Sequence, residues 1–176
     1  MEQEVRDLVE RVVDEAIGPR KTEGATIAVG SDHGGFELKT VVINHLRGRG
    51  FGVYDSGCEG TESVDYPDFA HAVADLVGTG TCRWGIVIDG AGIGSCMVAN
   101  KVPGVRAALC YDLSTARNSR EHNHANVLTL GAGLIGSALA IQIVDEWLET
   151  PWGPGRHERR VEKISEIEQR YMRSRT

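Results

Sequence analysis

The stretch WGIVIDGAGIG, residues 84–94, decides the fold class of this chain. Its first half is a short apolar run rich in β-branched residues, which predicts a buried strand. Its second half places three glycines in a turn, and such a turn lets the backbone pass from a strand directly into a helix. Asp89 stands at the junction. The stretch therefore predicts one strand, turn and helix unit of an α/β fold.

The same alternation continues on both sides of this unit. Further apolar runs begin at residues 26, 51, 105 and 125, and amphipathic segments follow them at residues 36, 66, 112 and 137. Five such units in succession predict a doubly wound, five-stranded parallel sheet, a Rossmann-like three-layer sandwich with helices on both faces. A last charged helix is predicted over about residues 156–173, after the turn TPWGPG.

The N-terminal residues form a separate segment in this prediction. Residues 3–17 carry apolar side chains at spacings of three and four on an acidic background, which predicts an amphipathic helix. Residues 18–24 are rich in Gly, Pro and polar residues and predict a linker. The expected organisation is an appended helix over 1–17, a linker over 18–24 and the main domain over 25–176.

Composition excludes several classes of function. The net charge of -6 argues against a nucleic-acid surface, which depends on clustered Lys and Arg. No apolar run approaches the ~20 residues that a membrane span needs, and an acidic helix is a poor membrane-surface binder. The four cysteines are widely spaced and suggest a reduced, cytoplasmic protein, and no Cys/His cluster has the spacing of a zinc site.

Ligands of open parallel sheets bind beyond the carboxyl ends of the strands. The third strand delivers Asp89 and the glycines Gly90, Gly92 and Gly94 to that edge, where backbone N–H groups can hold an oxyanion. The alternative for the glycines is close packing of strand and helix. Asp89 is a candidate general base, and its alternative is an N-cap or turn aspartate.

Several segments together resemble the type B ribose-5-phosphate isomerase family, which includes galactose-6-phosphate isomerase subunits. They cover roughly residues 26–169 in the family's order: SDHGGFELK, VDYPDFA, GIVIDGAGIG with ANKVPGVRAAL, REHNHANVLTLG and PGRHERRVEKISEIE. The resemblance implies an aldose-ketose isomerase without metal or cofactor. A base moves a proton between C1 and C2 of an open-chain sugar phosphate, through an enediolate held by the glycine-rich turn.

The resemblance also implies roles for individual residues. Asp32, His33 and Tyr66 contact the sugar phosphate, together with the turn formed by Gly90, Ala91, Gly92 and Gly94. His122 assists ring opening as an acid or base, and Asn123 binds the sugar. Arg156, His157 and Arg160 bind the phosphate, the two arginines lying on one helix face. The alternative for these arginines is an ordinary solvated helix face.

The chain departs from the family pattern at four positions. Asp89 stands where many members carry a catalytic Cys, and Ser95 where another branch uses a Glu, so proton transfer falls to Asp89 by elimination. Ala91 replaces a Thr of the turn. Gly133 replaces a frequent basic residue, and the loss of a charged hydrogen bond of this kind costs about 1.5 to 3 kcal/mol unless a neighbour replaces it.

Family members are homodimers that often pair into tetramers, with each active site built from two chains. The helix over residues 1–17 resembles the encapsulation peptides that recruit enzymes into bacterial microcompartments, where it would dock on a shell protein; its alternative is packing on its own domain or a sister subunit.

We expect an isomerase of ribose 5-phosphate and ribulose 5-phosphate or a close sugar phosphate. The alternative is a non-catalytic sugar-phosphate-binding or assembly subunit of the same fold.

Overall fold

A computed structural model describes residues 26–173 of the chain. The predicted helix 1–17 and linker 18–24 lie outside the described residues. The strands are β1 Thr26–Ser31, β2 Gly52–Asp55, β3 Trp84–Asp89, β4 Ala107–Leu109 and β5 Val127–Gly131. The helices are α1 Phe36–Gly48, α2 Tyr66–Gly78, α3 Ile93–Ala99, α4 Leu113–Asn123, α5 Ser137–Glu149 and α6 Arg156–Arg173.

The five strands form one parallel sheet in the order β2-β1-β3-β5-β4. The largest apolar cluster joins one face of the sheet to α1, α4 and α5, and a second cluster joins the other face to α2 and α3. All six residues of β3 are buried, as an apolar central strand covered on both faces requires. The predicted three-layer fold is therefore confirmed.

Two glycines let α2 approach the sheet closely. A Cβ on Gly30 of β1 would lie 2.8 Å from Val73 of α2, and one on Gly85 of β3 would lie 2.7 Å from the same side chain. Both distances are shorter than van der Waals contact, so any larger residue would push the helix away. Tyr66, at the start of α2, is held close to the strand ends in this way.

Local signals account for where the helices begin and end. Pro67 occupies the first turn of α2, where its missing N–H costs nothing. Asp112 caps α4 by accepting a hydrogen bond from the Thr115 N–H at 2.7 Å, in a capping box. His124 ends that helix with a left-handed backbone at φ 50°.

Two elements differ from the sequence-based expectation. The strand expected from the apolar run that begins at residue 105 is shorter than that run, because β4 is an edge strand that pairs only with β5, over three residues. The helix expected after the glycine-rich turn begins within that turn, at Ile93, because Gly92 adopts φ 76° and turns the chain at once into α3. Within residues 26–173, no helix is long and apolar enough to cross a bilayer.

Candidate active site

The loops that follow β1, β3 and β5 meet at one edge of the sheet. The Asp32 N–H donates to the Ile88 carbonyl at 3.2 Å, and the Ala132 N–H donates to the Asp89 carbonyl at 2.8 Å. The Gly133 N–H donates to the Gly90 carbonyl at 3.0 Å. Because the strand order reverses at β1 and β3, this edge is the topological switch point where ligands of such sheets bind.

The carboxylate of Asp89 is the centre of the glycine-rich turn. It is 5% exposed, and its Oδ1 accepts hydrogen bonds from the N–H groups of Ala91, at 2.8 Å, and of Gly92. Its Oδ2 accepts from the Ser95 N–H at 3.1 Å and from the Ser95 hydroxyl at 2.5 Å. A carboxylate offers about four lone-pair positions, so these donors fill them.

This arrangement corrects the expected use of the turn. The N–H groups of Ala91 and Gly92 were predicted to hold a substrate oxygen, yet they donate to the protein's own carboxylate. While Asp89 keeps this position, a substrate anion has no access to those two donors. This geometry is that of a turn aspartate, which was the alternative interpretation of the sequence. For Asp89 to act as a base, one of its hydrogen-bond donors must move away. The Ser95 hydroxyl can do so by rotation about its own side chain.

Asp32 and His33 follow β1 at this edge, and Tyr66 lies at the start of α2 beside the turn. Asp32 Oδ1 accepts from the Gly35 N–H at 2.9 Å. His33 Nδ1 lies 3.2 Å from the backbone of Val64, which ties it to the loop before α2. The Tyr66 ring covers the start of α3, since a Cβ on Gly94 would lie 2.6 Å from it.

Two further side chains shape this edge, and sequence reasoning missed the first of them, Lys39. Lys39 is 2% exposed, and its ammonium donates to Asp55 at 2.6 Å and to the Cys58 carbonyl at 2.8 Å, which fixes the loop after β2. The Tyr111 hydroxyl donates to the Ala91 carbonyl at 2.8 Å. The position of Lys39 within the apolar stripe of α1 was the available signal, because a lysine there is buried only when it is paired.

A second cluster of predicted residues forms where α4 ends and α6 begins. The rings of His122 and His157 stack with centroids 4.1 Å apart and planes inclined by 8°. The Asn118 amide donates to His122 Nδ1 at 2.9 Å, and Asn123 reaches the same Asn118 at 3.5 Å. His157 is buried beneath His122, so it exposes less to a phosphate than the sequence suggested.

Arg156 and Arg160 begin α6, and both are exposed. The Arg156 Nε donates to His157 Nε2 at 3.4 Å. Four residues separate the two arginines, which therefore lie on one helix face. Together with the helix start, they form a positively charged surface next to His122, as a phosphate site requires.

A buried arginine supports this second cluster. Arg120 is 4% exposed and donates to the carbonyls of Trp147, at 3.1 Å, and Ala125, at 2.5 Å. Its guanidinium lies over the rings of Trp147 and Trp152, at 4.7 and 5.7 Å from their centroids. Burial lowers the pKa of Arg120 to about 9. These contacts tie the end of α4 to the end of α5 and to the turn before α6.

The two clusters lie at opposite edges of the sheet, one at the carboxyl ends of the strands and the other near their amino ends. Helix α4 connects two parallel strands, so it runs antiparallel to them. Its cap, Asp112, lies at the carboxyl ends of the strands near Asp89, and its last residues, His122 and Asn123, lie near the amino ends. A single chain therefore does not bring His122 and the arginines to Asp89.

Burial also sets the protonation of two histidines near the second cluster. It lowers the pKa of His124, whose Nε2–H donates to the Gly153 carbonyl at 2.9 Å. It lowers the pKa of His157 as well, with the neighbouring His122 and Arg156 acting in the same direction. Among the described residues, no three His, Cys, Asp or Glu side chains are arranged to hold a metal ion.

Comparison with known proteins relates this geometry to a family. Residues 27–164 match the family model described as Ribose/Galactose Isomerase. The chain is 46% identical to ribose-5-phosphate isomerase B of Escherichia coli over 144 residues, which cover 82% of this chain and 97% of that protein. It is 40% identical to the D-erythrulose-4-phosphate isomerase of Pectobacterium atrosepticum over 144 residues, which cover 81% of this chain and 95% of that protein.

A solved structure agrees with the fold as well. The ribose-5-phosphate isomerase B of Clostridium thermocellum superimposes with a TM-score of 0.82 at 53% sequence identity. The superposition covers 83% of this chain and 99% of that chain. The glycine-rich turn and the start of α6, with Arg156 and Arg160, lie within residues 27–164, which match the family model.

Proposed function

The chain belongs to the ribose/galactose isomerase family and is a sugar-phosphate isomerase, and we propose that it interconverts ribose 5-phosphate and ribulose 5-phosphate. The observation that carries this proposal is the convergence of Asp32, His33, Tyr66 and Asp89 at the switch point of the sheet. It combines a carboxylate for proton transfer with groups that bind hydroxyls. The printed activities of the relatives at 46% and 53% identity support the pentose as substrate.

The reaction moves one proton between two carbons. Asp89, once the Ser95 hydroxyl has rotated away from Oδ2, removes the proton from C2 of the open-chain aldose. The electron pair forms the enediol double bond, and the carbonyl oxygen on C1 takes the negative charge. Return of the proton to C1, with transfer of the hydroxyl proton from O2 to O1, gives the ketose. His122 assists the preceding ring opening by moving a proton between the ring oxygen and the anomeric hydroxyl.

The complete site is formed by two copies of the chain. One copy supplies Asp89 with Asp32, His33 and Tyr66, and the second supplies His122, Asn123 and the arginines of α6. Within one chain these groups lie at opposite ends of α4. This placement supports the proposal, since no local movement of a side chain spans the length of that helix. Arg156 and Arg160 then hold the phosphate at the far end of the sugar.

The test uses the purified full chain with ribose 5-phosphate in EDTA, and follows ketose formation. Turnover that persists in the chelator supports the proposal. A higher kcat/KM for erythrulose 4-phosphate than for ribose 5-phosphate would show that the preferred substrate is a tetrose phosphate and not a pentose phosphate. Absence of turnover on pentose, tetrose and hexose phosphates would favour a binding or assembly subunit.

A further inference from the structure

In the stacked pair of His122 and His157, one ring faces solvent and the other is buried. His157 is 8% exposed, whereas the side chain of His122 is 37% exposed. The rings are nearly parallel at 4.1 Å, so the inner face of the His122 ring is covered by His157. In the proposed reaction His122 transfers a proton, whereas the buried His157 takes part in no chemical step.

We propose that His157 is a positioning residue for His122: the stack fixes the plane of the His122 ring and leaves the single proton of the pair to His122. This inference rests on the proposed function, in which His122 opens the sugar ring. It differs from the role that the sequence suggested for His157, which was a direct contact with the phosphate.

The hydrogen bonds of the pair fix which nitrogen carries the proton in each ring. Arg156 Nε–H donates to His157 Nε2 at 3.4 Å, so a neutral His157 carries its hydrogen on Nδ1. That Nδ1 is buried and has no hydrogen-bond partner in the described part of the chain. Asn118 donates to His122 Nδ1 at 2.9 Å, so the neutral His122 carries its hydrogen on Nε2. The reactive nitrogen of His122 is therefore Nε2, which lies 3.8 Å from Glu121.

The surrounding charges assign the proton of the pair to the exposed ring. Two imidazolium rings in contact repel each other, so the pair takes up one proton before the other. Burial opposes a charge on His157, and the neighbouring His122, Arg156 and Arg160 oppose it further, while Glu121 acts in the opposite direction. Glu121 of α4 lies 3.8 Å from Nε2 of the exposed His122 ring. His157 thus stays neutral while His122 exchanges protons.

Long-range nitrogen–proton NMR spectra of the full chain test the protonation half of this proposal. Across about pH 5 to 8, we expect His157 to remain in its neutral Nδ1–H form at pH values where His122 is already protonated. Protonation of His157 before His122 would overturn the proposal. The spectra require no turnover, so they decide this point even if the protein proves inactive on ribose 5-phosphate.

Three variants test the positioning half. His157→Phe keeps a flat ring against His122, His157→Ala removes it, and His71→Ala is the matched control at an exposed histidine away from the pair. We expect His157→Ala to lower kcat for ribose 5-phosphate by about tenfold or more, since small misplacements of catalytic groups are costly. His157→Phe should stay within about threefold of the parent protein, with KM nearly constant in both.

Two outcomes would overturn the positioning role. In the first, His157→Ala retains the kcat of the parent protein. In the second, KM and the inhibition constant of inorganic phosphate rise in both variants while kcat stays unchanged, which would make His157 a phosphate ligand. Thermal unfolding curves verify that each variant is folded. If His157→Ala does not fold, His157→Phe decides alone, because its kcat must remain near that of the parent protein.

Discussion

Ser95 Oγ lies 2.5 Å from Asp89 Oδ2, and within residues 26–173 it is the only side-chain donor among the four hydrogen bonds to this carboxylate. Both side chains are buried, at 0% and 5% exposure. The other three donors are backbone N–H groups, whose movement would distort the turn. The Ser95 hydroxyl is therefore the contact that can open without a change in the fold, and the two residues are expected to respond differently to substitution.

Asp89→Asn should abolish turnover, whereas Ser95→Ala should retain most of it. Loss of a general base costs about 10²- to 10⁴-fold in kcat. Removal of the Ser95 hydroxyl frees one lone pair of the carboxylate and costs about 1 to 3 kcal/mol of stability at most. Steady-state kinetics with ribose 5-phosphate, together with urea unfolding, measures both effects. Equal kcat values for Asp89→Asn and the parent protein would remove Asp89 from the reaction.

A mixture of two inactive variants should regain activity if two chains form each site. Asp89→Asn lacks the group at the strand ends, and His122→Asn lacks the group at the end of α4. Unfolding and refolding them together in equal amounts gives mixed dimers with one intact site, so activity should reach about a quarter of that of the parent protein. Each variant refolded alone is the control. A mixture no more active than these controls would place both groups in one chain's site.

The fold could be predicted from the sequence because each of its elements is a local pattern. Apolar runs such as residues 84–89 become buried strands, and Pro67 and Asp112 mark helix starts with the chemistry that those positions need. The edge strand β4 was overestimated because its apolar run extends further than its single partner strand pairs with it.

The site was less predictable because its geometry depends on hydrogen bonds across distant segments. For Asp89 the sequence left both a general base and a turn aspartate open, since no sequence pattern shows that Ala91, Gly92 and Ser95 all donate to it. The stack of His122 and His157 joins residues 35 positions apart through the turn that precedes α6. Lys39 carried a readable signal, namely a charge within an apolar stripe.

Acid should destabilise the protein partly through His124. Burial lowers its pKa below the ordinary value of 6.5, so in the window just below 6.5 the unfolded chain binds a proton that the folded chain does not. Stability therefore falls as the pH falls through this window. His124→Asn removes this titration and suits the positive φ at this position, so it should flatten the pH dependence by at most about 1.4 kcal/mol per pH unit.

Urea unfolding at a series of pH values measures this slope. His71→Ala serves as the control, because it removes an exposed histidine elsewhere in the chain. His157 has a lowered pKa as well, so part of the acid sensitivity should persist in His124→Asn. A slope identical to that of the parent protein would show that His124 does not titrate differently in the two states.

Gly94→Ala should weaken substrate binding without weakening the fold. The new Cβ would lie 2.6 Å from the ring of Tyr66, which is 40% exposed and can swing outward. Alanine within a helix is favoured over glycine by up to about 1 kcal/mol, which offsets the cost of moving the ring. If Tyr66 lines the pocket, KM for ribose 5-phosphate should rise about as much as in Tyr66→Ala.

Gly92→Ala is the contrasting variant, because its φ of 76° and the nearby Leu130 backbone at 2.9 Å make it destabilising. An unchanged KM in both Gly94→Ala and Tyr66→Ala would place Tyr66 outside the substrate pocket.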